Sequence, residues 1–334
     1  MHSAPYATVL KPYGRALLAL AREREEILCL SGDLTRQTEI DLFASELPQR
    51  FIHAGMAEAN MLSMAGALAR RGFQPFVHTF GVFATRRPLD QIVNSVAYPN
   101  LPVRIVGFMP GVSSPGGPSH QAIEDVALMR AIPNMTVVDL ADATQISTAL
   151  PVIAELPGPV YLRLKRGEIP VIFEDGHEFT LNRAELLIDG GDVALVANGM
   201  MLAAALAAAA TLTAAGVSAA VLNVPVIKPL DSATIAALAG RVRAIVTAEN
   251  HTIVGGLGSA VAETLAEAGI GCRLARIGLR DTFAQGARTA PPLFRRYGLR
   301  SQDIVDAAWS LSGRSGESPR VPETDVTEGE YAPV

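Results

Sequence analysis

The strongest constraint on the fold is an alternation that runs through most of the chain: a short run of β-branched and aliphatic residues, a stretch with helical spacing, then another short run. In the first half the strand-like runs are "ILCLSGDL", "FIHAG", "QPFVHTF", "VRIVGF", "MTVVDLA" and "PVYLRLKRG". The helix-like stretches include "GRALLALAREREEI", "DLFASELP" closed by Pro48, a stretch from Met56, "RPLDQIVNSVAY" and "AIEDVALMRAI". Strands apolar on both faces need cover on both faces, and parallel strands need crossovers. The pattern therefore predicts an α/β fold with mainly parallel sheets between layers of helix.

The alternation loosens over residues 171–190 and then resumes. "DVALVANG", "SAAVLNVPVIKPLD", "RAIVTAEN" and "CRLARIGL" read as strands, separated by the Ala-rich stretch from Met200 to Gly216, "ATIAALAG" and "GGLGSAVAETLAEAG". Two α/β domains follow, over residues 1–170 and 191–312, with 171–190 as their connection. The tail 313–334 is rich in Gly, Ser, Pro, Glu and Thr without periodicity and is expected to lack regular structure.

Bulk properties exclude several functions. With 49% hydrophobic and 18% charged residues, the 334-residue chain can bury two sizeable cores. Its net charge of −5 is spread without a basic block, so no nucleic-acid surface is expected. The run from Met200 to Gly216 is short for a bilayer span, and Thr interrupts it, so a buried helix is expected and no membrane association. Cys29 and Cys272 lie far apart and read as two buried thiols. That usage, with an N-terminus lacking a secretory pattern, predicts a cytoplasmic location.

One residue does not suit its surroundings. Between Ala54 and Ala69 the only charged side chain is Glu58. On a helix from Met56 it shares a face with Met61, Leu62, Ala65 and Gly66, while Asn60, Ser63 and Ala67 form a milder face. A carboxyl desolvated this way has its neutral form favoured and suits proton sharing. The alternative is an acid at a helix N-terminus, near the dipole and reached by water. Spacing alone leaves both open.

The neighbouring motifs resemble a known family. "SGDLT", "GMAEANM", "HTFGVF", "GGPSHQAIEDVALMRAIPNM" and "PVYLRLKRG" follow the order and approximate spacing of the pyrimidine-binding domain of transketolases. "GGDVALVANGMM", "TAENHTIVGGLGSAVAE" and "YGLRSQDIV" resemble the transketolase C-terminal domain, so the similarity spans roughly residues 5 to 312. The resemblance implies a thiamine-diphosphate enzyme in which Glu58 hydrogen-bonds N1′ of the aminopyrimidine. It favours the tautomer that takes the proton from C2 of the thiazolium.

The same resemblance implies stacking on the pyrimidine by Phe83, with Phe80 lining the pocket. Asp33 and Leu34 would pack against the cofactor. His120, expected near a helix start, would contact substrate and act in catalysis, and Arg166 would bind a substrate phosphate. Without the resemblance each has an ordinary reading: core phenylalanines, a turn aspartate satisfied by backbone, a helix-capping histidine. Arg163 and Lys165 read as surface charges at a strand end. Glu249 and His251, near a Gly-rich turn, read as structural.

Three positions depart from the family pattern on the substrate side. Met109 stands where a His is common, Gly116 where an Asp precedes the Gly-Pro-Ser-His, and Gln37 where a Ser follows "GDLT". These changes predict a donor or acceptor with fewer hydroxyls or another anionic group. No Gly-Asp-Gly triplet occurs in the chain, and that motif holds the diphosphate and its Mg²⁺ (or Ca²⁺ or Mn²⁺) in the family. The chain is therefore expected to be the C-terminal subunit of a split enzyme, working with an N-terminal subunit as α2β2 and moving a two-carbon ketol unit between sugars or sugar phosphates. Rival expectations are the β subunit of a 2-oxo acid dehydrogenase, a deoxyxylulose-phosphate-synthase-like enzyme, and a non-catalytic scaffold. No metal ligand is expected on this chain.

Overall fold

Each strand-like run of the first half forms a strand in the structure, a computed structural model that describes residues 6–322. Strand β1 (Thr8–Leu10) precedes the first helix, and β2 (Ile27–Ser31), β3 (Phe51–His53), β4 (Gln74–Phe80), β5 (Arg104–Phe108), β6 (Thr136–Asp139), β7 (Val160–Leu164) and β8 (Glu168–Pro170) follow. The second half supplies β9 (Glu185–Ile188), β10 (Val193–Ala197), β11 (Ala219–Asn223), β12 (Val226–Lys228), β13 (Ala244–Thr252) and β14 (Arg273–Leu279). Among the described residues β1 and β8 form a two-stranded sheet, and the other strands form two larger sheets, in the orders β12-β6-β7-β5-β4-β2-β3 and β14-β13-β10-β11-β9. β1 and β8 pair antiparallel, and within the two larger sheets all pairs are parallel except the edges β12 on β6 and β9 on β11. Every residue of β2, β4, β5 and β7 is buried, as strands covered on both faces must be.

Three features differ from the sequence expectation. The stretch expected as a connection contains β9, which closes one edge of the second sheet. "SAAVLNVPVIKPLD" is two strands in two sheets. Pro225 between them has no N–H for a ladder, and its carbonyl instead accepts from Asp139 N at 2.8 Å, steering β12 onto the first sheet. The beginning of the tail packs back on the last helix, Ser301–Ser312: Trp309 Nε1 donates to Gly316 O at 3.2 Å and Val321 N to Gln302 Oε1 at 2.9 Å. Residues 323–334 of that tail lie outside the described residues. The Ala-rich run is the helix Met201–Ala214 at the centre of the second domain's core, where small side chains let it seat closely on the sheet.

Arg163 is not a surface charge. It is 1% exposed, in β7, and its guanidinium donates to Asp125 through Nε at 2.7 Å and Nη2 at 3.1 Å, to Asp139 through Nη1 at 2.6 Å, and to Asn250 O at 3.0 Å. Asn198 Nδ2 and Tyr161 Oη complete the knot on Asp139 and Asp125. Burial pushes the Asp125 carboxyl up, but Arg163, His251 and the Tyr161 hydrogen bond together hold it below its usual range. For Asp139, which takes a single Arg163 hydrogen bond, burial wins and the carboxyl lies above its usual range. Glu249, beside this knot, accepts from Leu257 N at 2.7 Å and Gly258 N at 2.8 Å, yet burial lifts it to about 7. Burial likewise pulls His251 down to about 4, leaving it neutral. These groups join the two domains and support the structural reading of Glu249 and His251. Of the two thiols, Cys29 is buried and Cys272 only partly so.

Candidate active site

Parallel α/β sheets bind ligands beyond the C-terminal ends of their strands, and the sequence candidates gather there. Asp33, Leu34 and Gln37 follow β2, Glu58 follows β3, Phe83 follows β4, Met109 and His120 follow β5, and Arg166 follows β7.

Glu58 opens the helix Glu58–Ala69, two positions later than expected. Both sequence readings are thereby combined: the acid stands in the first turn, where the dipole favours it, yet it is only 2% exposed, above a face of buried Met61, Leu62, Ala65 and Gly66. A Cβ at Gly66 would lie 2.3 Å from Ser95 O, so only glycine lets this helix approach the π-helical turn Ile92–Ala97 so closely. The carboxylate is not alone, because Arg87 Nη1 donates to Glu58 Oε1 at 2.8 Å.

β4 ends at Phe80 and the helix Gly81–Thr85 begins at once. The Phe80 and Phe83 rings stack with centroids 6.1 Å apart and planes 16° apart. Gly81 permits this turn, since a Cβ there would press on Ala122 Cβ at 3.1 Å and Tyr161 Oη at 3.2 Å. His120 meets the Phe83 ring edge-on at 5.3 Å, and the Arg87 guanidinium carbon lies 4.1 Å above that ring. Glu58, Arg87, Phe83, His120 and Phe80 thus form one continuous cluster. Leu34, Phe83 and Met109 border the same apolar core that contains Phe80.

The loop carrying His120 is held from both domains. Arg86 donates to Pro118 O at 2.7 Å, to Gln121 O at 3.1 Å and to Glu124 Oε2 at 2.8 Å, bracketing the histidine. Asn250, from β13, donates to Pro110 O and accepts from Val112 N, both at 3.0 Å. Met109 is left-handed, with φ 57°, and Gly111 after it has φ 54°, where a Cβ would strike Asn250 O at 2.2 Å. His120 itself is exposed and lies in the loop, with the following helix beginning only at Asp125; its Nδ1 is 2.8 Å from Ser119 Oγ. The expected position at a helix start is therefore corrected. At Gly116 a Cβ would meet His120 Cβ at 2.7 Å, so a side chain here would require the His120 loop to shift.

Other candidates stand apart from the ring cluster. Asp33 is left-handed, with φ 78°, and pairs with His53 at 3.4 Å across the ends of β2 and β3. Gln37 and Arg166 are half-buried, and neither side chain makes a hydrogen bond or ion pair among the described residues. Arg86, Arg87 and Asn250 were missed by sequence reasoning. The pair "RR" immediately after "HTFGVFAT" was the available signal for the first two; nothing local marked Asn250.

Residues 6–171 match the transketolase pyrimidine-binding domain and residues 182–304 the transketolase C-terminal domain. A transketolase family protein of Sinorhizobium fredii is 44% identical over 88% of this chain and 86% of its own length. This chain belongs to the transketolase family. The 6-deoxy-6-sulfo-D-fructose transketolase subunit SqwH of Clostridium sp. (strain MSTE9) is 42% identical to this transketolase chain over 90% of it and 94% of the relative. Among solved structures, a split-gene transketolase described as an inactive β4 tetramer superposes with a TM-score of 0.84 at 41% identity, covering 90% of this chain and 97% of that one. 1-Deoxy-D-xylulose-5-phosphate synthases are more distant, at 31–36% identity, and this chain spans 43–50% of their length. The chain is a transferase of the split transketolase type, and the family is thiamine-diphosphate-dependent. Among the described residues no three His, Cys, Asp or Glu side chains are placed to hold a metal, and no helix is long and apolar enough to cross a membrane.

Proposed function

We propose that this chain supplies the aminopyrimidine half of a thiamine-diphosphate site shared with a diphosphate-binding partner chain, and that the assembly transfers a two-carbon ketol unit from a ketose to an aldehyde. One observation carries the reading: a buried carboxylate at a helix N-terminus, one guanidinium away from the face of a phenylalanine whose edge is met by a histidine. That arrangement fits an aminopyrimidine, because the planar N–H donor now seated there already makes a hydrogen bond to the acid and a stack on the ring.

Bound cofactor would supply the nucleophilic carbon and the electron sink for the transfer. The protein's own residues orient and move protons. Glu58 would hold a shared proton at the pyrimidine N1′, in a position closed to bulk water. Phe83 and Phe80 would fix the ring plane, and exposed His120, with Ser119 behind it, can donate to a substrate hydroxyl or take its proton. Arg166, with no partner among the described residues, is a ready contact for the substrate's anionic end.

The metal ion, with the diphosphate, is assigned to the partner chain, the assembly to α2β2 and its location to the cytoplasm. Met109, Gly116 and Gln37 support a substrate with fewer hydroxyl contacts or a different anion, such as the sulfonate named for the Clostridium relative. The test is turnover by the purified two-chain assembly on phosphate- and sulfonate-bearing ketoses with several aldehydes. Glu58→Gln should abolish turnover while leaving assembly intact, and undiminished turnover would favour a scaffold. Comparable turnover of xylulose 5-phosphate and ribose 5-phosphate would refute the substrate proposal alone.

A further inference from the structure

Adjacent arginines follow the stacking phenylalanine, and they are held in different ways. Arg86 is pinned, with hydrogen bonds to two loop carbonyls and an ion pair to Glu124. Among the described residues Arg87 is held at only two points, Glu58 Oε1 at 2.8 Å and the face of Phe83 at 4.1 Å. Those two points are the ones an aminopyrimidine needs, an acid to share a proton with N1′ and an aromatic face for stacking. Guanidinium and an aminopyrimidine that has taken the shared proton on N1′ both present a planar N–H donor to the carboxylate. The side chain of Arg87 is 48% exposed, so leaving costs little resolvation, whereas Glu58 is buried and would be left with an uncompensated charge unless another donor replaced the guanidinium.

We infer that Arg87 is a displaceable occupant of the pyrimidine site: its guanidinium keeps Glu58 compensated and Phe83 in place, and withdraws from both when a planar N–H donor enters. The inference rests on the cofactor reading above. It adds a competition, in which cofactor binding must overcome the Arg87 contacts and Glu58 is free to share a proton only after they break. The side chain would thus couple site filling to activation, because a carboxylate still paired with a cation is a poor proton partner.

The test is calorimetric titration of thiamine diphosphate, with Mg²⁺, into the two-chain assembly carrying Arg87→Ala. Loss of one cation–π contact and one half-exposed ion pair should tighten binding by roughly tenfold. Added methylguanidinium should refill the seat and return the affinity toward that of the parent. Unchanged or weaker binding by the variant would overturn the inference and make Arg87 a permanent part of the site. Arg87→Lys, which keeps charge but not the planar fork, should fall between parent and alanine variant, and gives the same reading should Arg87→Ala assemble poorly. Methylguanidinium binding to Arg87→Ala and not to the parent reports the seat even if the parent assembly fails to bind thiamine diphosphate, an outcome that would sink the cofactor reading. Absence of methylguanidinium binding to the variant would overturn the inference on its own.

Discussion

Two of the arginine–carboxylate clusters in this chain differ in almost every physical respect. At the C-terminal edge of the first sheet, Arg87 makes one hydrogen bond to Glu58 with half of its side chain in solvent. Between the domains, Arg163 makes hydrogen bonds to two carboxylates and a carbonyl with no more than 1% of its side chain in solvent. A cation with one bond and a wet flank can be exchanged for a ligand. A cation whose donors are spent inside the protein cannot leave without stranding two buried charges. Residue type alone did not separate these roles; the number of partners and the access of water did.

The largest expected effect tests that contrast directly. Arg163→Met leaves Asp125 and Asp139 facing each other without a cation and should cost about 3–5 kcal/mol of stability, read from urea unfolding of the assembly. Arg87→Met strands one buried carboxylate rather than two and should cost less, about 1–3 kcal/mol. Similar losses for the two would dissolve the distinction.

The next effect concerns pH. Glu39 and Glu249 are lifted by burial from 4.5 to about 7, so the stability they contribute is present below 4.5 and is lost as pH rises toward 7. His78 and His251 are pulled down by burial from 6.5 to about 4, so their contribution is present above 6.5 and is lost as pH falls toward 4. Between 4.5 and 6.5 the folded chain holds protons on the two glutamates and the unfolded chain on the two histidines, and the four contributions cancel. His78→Gln should therefore tilt the stability profile in that window by about −1.4 kcal/mol per pH unit relative to the parent, and Glu39→Gln by the same amount upward. Equal tilts of one sign, measured by unfolding across the window, would show that these groups are not held as described.

Asn250 joins the two regions, because it belongs to the second domain yet clamps the loop at Pro110 and Val112. Asn250→Ala should cost about 1–3 kcal/mol through the buried groups it strands. It should also raise KM more than it lowers kcat, since the loop positions substrate. A stability loss with KM unchanged would confine Asn250 to the interdomain knot. The smallest effect is expected at Asp33, whose 3.4 Å contact with His53 is half exposed on both sides. Asp33→Asn should change stability by less than about 0.5 kcal/mol; a larger loss in thermal unfolding would place Asp33 with the buried cluster.

Much of this molecule was legible in the chain. The two-fold alternation of apolar runs and helical stretches determined the α/β class and the central strands of the two larger sheets, because a strand buried on both faces has no other composition open to it; the edge strand β9 was not marked by it. The apolar face around Glu58 and the spacing of Phe80 and Phe83 were local, carried within one or two helical turns, and so were readable. Tertiary structure alone decided which charges are buried. Arg163 stands beside Lys165 and Arg166 in "RLKRG" and reads as a surface charge until Asp125, Asp139 and Asn250 arrive from distant segments to spend its donors. It also decided that β12 crosses to the other sheet and that Arg87 reaches Glu58 across 29 positions of sequence. Periodicity records what a residue meets within its own element. The partner of a charge is set by how elements are brought together, and no local pattern encodes that meeting.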